Sequence, residues 1–145
     1  MKTLNLTNLE NSDIKFKVSN FPDGQQQVKI YPKIKPGNTD WNNDEYLLSN
    51  SNIVKIKARL NNFKDLELII CATKSLREMG VEHINLYTPY FLGSRSDRKF
   101  EEGSNNYLKD VICPIINSLK FKCVTVLDPH SDVLEACLNN FKKVN

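Results

Sequence analysis

The sequence predicts an α/β protein with a mostly parallel sheet flanked by helices and an antiparallel hairpin near the N-terminus. From residue 53 onward, apolar runs of strand length alternate with amphipathic stretches of helix length, a pattern typical of βαβ units. Residues 12–31 instead contain two alternating segments separated by Asp23-Gly24, a strong hairpin signal. The chain has 145 residues, the common size of one domain.

The first half of the chain begins with strand patterns. Residues 1–6 predict a short first strand, and the hairpin that follows is expected to add antiparallel character at one edge of the sheet. Residues 32–52 are rich in Pro, Asn, Gly and Asp and predict an irregular connection. Residues 53–58 predict the next strand.

The best-defined helix is predicted to follow that strand. Asn61 or Asn62 can cap its first turn, and the helix is expected to run to about Met79. Apolar side chains recur every three or four residues on one face, while charged side chains occupy much of the other. Gly80 is well placed to end the helix in a left-handed conformation.

The second half repeats the alternation. The apolar run 83–88 predicts a buried strand, and a second helix is expected to start near Ser104. Pro114 lies inside that helical pattern, so we expect a kink or break there. Residues 121–127 predict another strand, and a last helix opens at Ser131 with an apolar stripe that extends to Phe141.

Composition excludes several classes of protein. The net charge of +3 is too small to indicate nucleic-acid binding, and the lysines are spread along the chain. No apolar run approaches the roughly 20 residues that span a bilayer, and no signal-peptide pattern is visible, so we expect a cytoplasmic protein that does not enter membranes. The four cysteines form no C-x-x-C pair, which favours reduced core residues over a zinc site or disulfides.

A cationic loop (residues 89–99) follows the predicted strand 83–88. It carries Arg95, Asp97, Arg98 and Lys99. Ligands of open α/β sheets bind beyond the carboxyl ends of the strands, and guanidinium or ammonium groups there suit a polyphosphate. The alternative is a charged loop that is simply solvated.

A second polar loop, Asp128-Pro129-His130, follows the strand 121–127. Parallel neighbouring strands would place it at the same edge as the cationic loop, which indicates a phosphate-rich ligand with a divalent metal. Asp128 can bind or orient such a metal, and His130 is a second candidate, although Mg²⁺ prefers oxygen ligands. The alternative is that both residues cap the last helix.

Three stretches in order resemble signatures of one enzyme family. Phe21-Pro-Asp-Gly-Gln25, Pro89-Tyr-Phe-Leu-Gly-Ser-Arg-Ser-Asp-Arg-Lys99 and Asp128-Pro-His130 are similar to motifs of the ribose-phosphate pyrophosphokinases. The resemblance covers residues 14–145. It implies the amino-terminal domain of a phosphoribosyltransferase-like fold. It also implies Mg²⁺-dependent transfer of the diphosphoryl group of ATP to the C1 hydroxyl of ribose 5-phosphate.

The resemblance also assigns roles to residues. The Phe-Pro-Asp-Gly loop holds adenine in the family, usually in a neighbouring subunit, which implies a homo-oligomer. The cationic loop contacts ATP, and the histidine of the third motif contacts metal and phosphate. The implied ATP-binding residues are Phe21, Asp23, Gly24, Gln25, Arg95, Ser96, Asp97 and Lys99, and the implied metal residues are His130 and Asp128.

The sequence departs from the family at several positions. Gln25 stands for the usual Glu, Ser96 for Gln and Pro129 for Leu. Nothing in the chain matches the acidic, Gly/Thr-rich loop that binds ribose 5-phosphate in the family's second domain, so residues 1–145 are expected to be the ATP-binding half alone. Two alternatives stay open: the same chemistry on another acceptor that ends in ribose 5-phosphate, or a non-catalytic homologue that regulates a true synthetase.

Overall fold

The computed structural model of the protein describes residues 1–31, 53–96, 98–99, 101–127, 129 and 133–144. The predicted irregular connection over residues 32–52 lies outside them. The strands are β1 (Lys2–Asn5), β2 (Phe16–Asn20), β3 (Gln26–Ile30), β4 (Ile53–Lys57), β5 (His83–Thr88), β6 (Cys123–Leu127) and β7 (Phe141–Val144). The helical elements are a 3-10 turn (Leu9–Asn11), α1 (Phe63–Glu78), a π-helix (Tyr107–Ile112), α2 (Cys113–Ser118) and α3 (Val133–Cys137).

The main sheet has five parallel strands in the order β1-β4-β5-β6-β7. Every crossover therefore steps in the same direction across the sheet. Because such crossovers are almost always right-handed, the connecting helices lie on one face. The buried residues of α1, α2 and α3 indeed join those of the strands in one core cluster. The predicted fold class, a mostly parallel sheet with helices and an N-terminal hairpin, is confirmed.

The hairpin β2–β3 forms a separate two-stranded sheet. From the alternating pattern we expected the hairpin to extend an edge of the main sheet, and this expectation is wrong. Its apolar side chains explain the difference. Ile14, Phe16, Val28 and Ile30 are buried with the core cluster, because the hairpin packs against α1.

Helix α1 is the element that the sequence predicts best. Asn62 accepts a hydrogen bond from the Asp65 N–H at 2.9 Å, and the Asp65 carboxylate accepts one from the Asn61 N–H at 2.9 Å. The buried face consists of Leu66, Ile69, Ala72, Thr73 and Leu76. The helix ends as predicted, with Gly80 at a φ of 92° directly after Met79.

The helical region after the cationic loop starts later than predicted. Its cap is Asn106, whose side chain accepts from the Lys109 N–H at 3.1 Å, so Ser104 lies before the helix. The helical path is not interrupted at Pro114, where we expected a kink or break: the π-helix passes directly into the α-helix α2 at Cys113. Pro114 falls in the first turn of α2, where its missing N–H costs little.

The last predicted helix is much shorter in the structure. α3 ends at Cys137, and residues 141–144 form β7 beside β6. Asn140 has a φ of 58°, a left-handed conformation that ends the helical path. Its carbonyl oxygen accepts from the Val124 N–H at 3.0 Å, which directs the chain into the sheet. Phe141 therefore packs on the core from a strand rather than from a helical stripe.

All four cysteines are free thiols, but the prediction that they are core residues is wrong for Cys123, which belongs neither to the core cluster nor to the residues packed against it. Cys113 is buried, and the other three are half-buried. Among the described residues, no helix combines the length and apolar character that crossing a bilayer requires.

Candidate functional site

The loop after β5 is a tightly bonded structure. The Ser94 N–H donates to the Phe91 carbonyl at 3.1 Å, and the Ser96 N–H donates to the Gly93 carbonyl at 2.8 Å. The side chains of Phe91 and Ser94 are buried, and the Ser94 hydroxyl donates to the Phe91 carbonyl at 2.5 Å. The loop thus starts from a buried anchor at the carboxyl end of β5.

The same loop is fastened to the following helix. The Leu108 N–H donates to the Ser96 carbonyl at 3.0 Å, which joins the loop to the π-helix. Gly93 has a φ of 85°, and a Cβ placed there would lie 3.0 Å from Cδ1 of Tyr107. Only glycine fits this close approach without a shift of the aromatic ring.

The predicted ATP-binding side chains of the loop lie on its outer side. Arg95, Arg98 and Lys99 are exposed, whereas Ser96 is half-buried. Asp97 lies outside the described residues. The structure therefore places three cationic side chains beyond the carboxyl end of β5, on a backbone whose first residues are held by buried contacts. Exposed cations on a fixed backbone suit an anionic ligand, since the backbone loses little conformational freedom on binding.

The hairpin turn, residues 21–25, carries the other predicted ATP-binding residues. The Gly24 N–H donates to the Phe21 carbonyl at 2.9 Å, and the Phe21 N–H donates to the Gln25 carbonyl at 2.8 Å. The Asp23 carboxylate accepts from the Gln25 N–H at 2.9 Å, so it also shapes the turn. Phe21 is 46% exposed, which leaves its ring available for stacking.

Glu67 of α1 fixes the hairpin in place. Its carboxylate accepts two hydrogen bonds from Gln26, one from the backbone N–H at 3.0 Å and one from the side-chain Nε2 at 2.8 Å. Gln26 is buried, and its Nε2 also donates to the Lys64 carbonyl at 2.9 Å. Cys71 donates its Sγ–H to the Gln26 carbonyl at 3.7 Å, and burial, then the nearby Glu67, raises the pKa of that thiol. The hairpin turn is thereby held beside the first turns of α1.

Beside the hairpin turn lies a shallow, mainly apolar groove of about 390 Å³. Gly24 lines one side, and Phe63 and Ile70 of α1 line the other. Phe63 is 50% exposed, although its spacing in the sequence places it on the apolar face of α1. One feature of the sequence could have indicated this exposure. Phe63 is the first residue of the helix, and the first residue of an apolar stripe can extend beyond the element that covers the rest of the stripe.

The strand-end rule, that ligands of open α/β sheets bind beyond the carboxyl ends of the strands, also identifies a cationic residue that was not among the predicted site residues. Arg59 follows β4 as the cationic loop follows β5, and its side chain is exposed. It lines a polar pocket of about 130 Å³ with Thr7, which follows β1, and Asp65 of α1. Applied to every strand instead of two, the rule identifies Arg59 as a further cation at this edge.

Both predicted metal residues, Asp128 and His130, lie outside the described residues, so their placement stays a prediction. Among the residues that the structure does describe, no group of three or more His, Cys, Asp or Glu side chains could hold a metal ion. The described part of the site thus offers cations and aromatic surface for a ligand, without a metal centre of its own.

Comparison with known proteins connects this arrangement to one enzyme family. No family model matches the chain. A curated relative, the ribose-phosphate pyrophosphokinase of Saccharolobus solfataricus, is 25% identical over 116 residues, which cover 76% of this chain. Those residues are 33% of the relative, so the chain spans about a third of its length.

Solved structures show the same fold. The crystal structure of phosphoribosylpyrophosphate synthetase from Mycobacterium smegmatis matches 94% of this chain with a TM-score of 0.70. The identity is 10%, and the match covers 41% of that chain. The curated match supports a relationship to the ribose-phosphate pyrophosphokinases, which are transferases, and the structural match shows that the fold is shared.

Proposed function

We propose that this chain provides the ATP-binding half of an enzyme that transfers the diphosphoryl group of ATP to the C1 hydroxyl of ribose 5-phosphate. The products are phosphoribosyl diphosphate and AMP. The chain spans about a third of its curated relative, so the acceptor would be held by residues outside this chain. Transfer would therefore require a further domain or a partner subunit.

The observation that carries the proposal is the cationic edge of the sheet. Arg95, Arg98 and Lys99 are exposed beyond the carboxyl end of β5, and Arg59 is exposed beyond the end of β4. Phosphoryl transfer depends mainly on positioning the phosphates and neutralising their charge. Guanidinium groups can do both, because each can donate two parallel hydrogen bonds to phosphate oxygens.

The hairpin turn would bind the other end of the nucleotide. Phe21 offers an exposed ring for stacking on adenine, and Asp23 and Gln25 offer polar groups on the same turn, around Gly24. In a homo-oligomer this turn would serve the site of a neighbouring subunit. An amide at Gln25 can both donate and accept hydrogen bonds, so it can still recognise the base edge.

Divalent metal completes the proposed site. Asp128 and His130 would hold Mg²⁺, with Asp97 and Ser96 near the phosphates. Mg²⁺ supplies neutralisation of the polyphosphate charge when it is bound. The residues of this chain have the separate tasks of orienting the nucleotide and stabilising its negative charge.

The test is ATP binding by Arg95→Ala, measured by isothermal titration calorimetry with Mg²⁺ present. Removing a charged hydrogen-bond donor should weaken binding by about 1.5–3 kcal/mol. Lys122→Ala is the matched control, because Lys122 is an exposed cation just before β6, at the opposite edge of the sheet. It should leave the affinity unchanged.

Two results would contradict the proposal. Equal loss in the Arg95 and Lys122 variants would show that general charge, and not the cationic loop, binds ATP. Equal affinity for ATP and GTP would exclude adenine recognition by the hairpin turn.

A further inference from the structure

The two faces of the parallel sheet differ sharply in burial. β4 and β6 alternate strictly between buried and half-buried residues, and β5 does the same after its exposed first residue, His83. The buried set, such as Val54, Leu86 and Val126, belongs to the core cluster under the helices. The half-buried set points to the other face.

We call that second face the open face. By register and alternation it consists of Thr3, Asn5, Ile53, Lys55, Lys57, His83, Asn85, Tyr87, Cys123, Thr125, Leu127, Lys142 and Val144. Its apolar members in the three central strands (Ile53, Tyr87, Cys123 and Leu127) belong neither to the core cluster nor to the partly buried residues packed against it. Because all crossovers run in one direction, none of the described helices covers this face.

An open face is unusual for a parallel sheet. Parallel sheets occur almost only where helices cover both faces, since their strands depend on burial. The open face also contains an unmet polar group: the buried Oδ1 of Asn85 has no hydrogen-bond partner among the described residues, while its Nδ2 donates to Sδ of Met1, at 3.7 Å. A buried carbonyl without a donor costs stability, so this side of the sheet is less well satisfied than the side under the helices.

The charge of the open face identifies the chemistry of that partner. Lys55, Lys57 and Lys142 lie on it, and none of its described residues is a carboxylate. Nζ of Lys55 lies 5.7 Å from the centre of the Tyr87 ring, which holds the cation over an apolar surface. The face thus combines a half-buried apolar floor with positive side chains.

We propose that the open face is the docking surface for an amphipathic, acidic helix of a second protein. Five strands about 4.8 Å apart make a face roughly 20 Å wide, enough for one or two helices of about 10 Å diameter. Such a helix would place apolar side chains on Tyr87 and Leu127 and carboxylates against Lys55 and Lys57. This proposal does not depend on the proposed nucleotide chemistry, which uses the carboxyl edge of the sheet.

Two other occupants fit less well. A second copy related by two-fold symmetry would bring lysines against lysines, because both copies present the same patch. Single-stranded nucleic acid would need several aromatic rings for stacking, and the rings among the described members of the face are His83 and Tyr87, the latter already beneath Lys55.

The test uses two synthetic helical peptides with the same leucine stripe, one flanked by glutamates and the other by lysines. Binding to the full chain is measured by fluorescence anisotropy. We expect the glutamate peptide to bind at least about tenfold more tightly, and the double variant Lys55→Glu with Lys57→Glu to lose about tenfold or more of that affinity. Lys74→Glu with Lys109→Glu, the same change of net charge on two exposed helix residues, should bind like the unaltered protein.

Circular dichroism first establishes that each variant is folded. Equal binding of the two peptides, or binding of neither, would overturn the proposal. So would a dimer in light scattering that the double variant abolishes, or tighter binding of a single-stranded oligonucleotide than of the glutamate peptide. Carbodiimide cross-links from Lys55 or Lys57 to carboxylates of the same chain would assign the face to an intramolecular contact instead.

Discussion

Replacing Gly93 by alanine tests whether the close approach of the cationic loop to Tyr107 fixes the site. Gly93 and Gly103 have the same φ of 85°, so alanine at either position adopts a left-handed conformation. That conformation costs about 1–2 kcal/mol for an L-residue. At Gly103 nothing lies within 4 Å of the added Cβ, and the cost should end there.

At Gly93 the added methyl group has three close neighbours. It would lie 3.0 Å from Cδ1 and 3.4 Å from Cε1 of Tyr107, and 3.5 Å from Cα of Leu108. Forcing an extra carbon into packed surroundings typically costs a further 1–3 kcal/mol or so. We therefore expect Gly93→Ala to lower the free energy of unfolding by about 2–5 kcal/mol, and Gly103→Ala by about 1–2 kcal/mol.

The assay is urea unfolding of both variants and the unaltered protein, followed by circular dichroism. The difference between the two variants isolates the contact with Tyr107, because their backbone costs cancel. Equal losses of stability would refute the reasoning, since the ring would then have moved away without cost. ATP affinity provides a second measurement. Gly93→Ala should shift the cationic loop and with it Arg95, and so weaken ATP binding, whereas Gly103→Ala should leave ATP binding unchanged.

Three further predictions concern the hairpin and the core. Glu67→Ala removes the acceptor of two N–H groups of buried Gln26 and should lower the free energy of unfolding by about 2–4 kcal/mol. The control Glu78→Ala, at an exposed position of α1, should change the free energy of unfolding by under about 0.5 kcal/mol. Phe21→Ala, at a 46% exposed position, should leave the urea midpoint unchanged but weaken ATP binding by about 1–3 kcal/mol; unchanged binding would exclude stacking. Burial, mainly, raises the pKa of Cys113 from 9.0 to about 12, so the folded thiol should resist iodoacetamide at pH 8. Because the unfolded thiol ionises first, the stabilising contribution of its protonated form should be complete below pH 9.0 and decline toward pH 12, and this decline should be smaller in Cys113→Ser.

The elements that local chemistry determines could be predicted from the sequence. Asp23-Gly24 supplies the left-handed residue of the hairpin turn, and Asn62 supplies the cap of α1. Exposure of Arg95 and Lys99 also follows from a polar loop after a buried strand. Each of these features depends on a few neighbouring residues.

The features that local patterns do not predict depend on distant contacts. Val133, Leu134, Cys137 and Phe141 have helical spacing, yet Phe141 belongs to β7, because β6 offers a free edge that the local pattern does not contain. The separate hairpin sheet likewise depends on α1, which follows it by more than 30 residues. Asp97, Asp128 and His130 stay predictions from the sequence.

The spatial order of the strands has a consequence for synthesis on the ribosome. β1, β4, β5, β6 and β7 lie in the sheet in the order in which they are made. Each new strand can therefore add to an existing edge, and none has to insert between two strands that are already paired. Translation proceeds at about 5–20 residues per second, so the growing edge waits several seconds between β5 and β6. During that interval the nascent chain presents an unpaired edge at β5, with which a strand of another chain could pair.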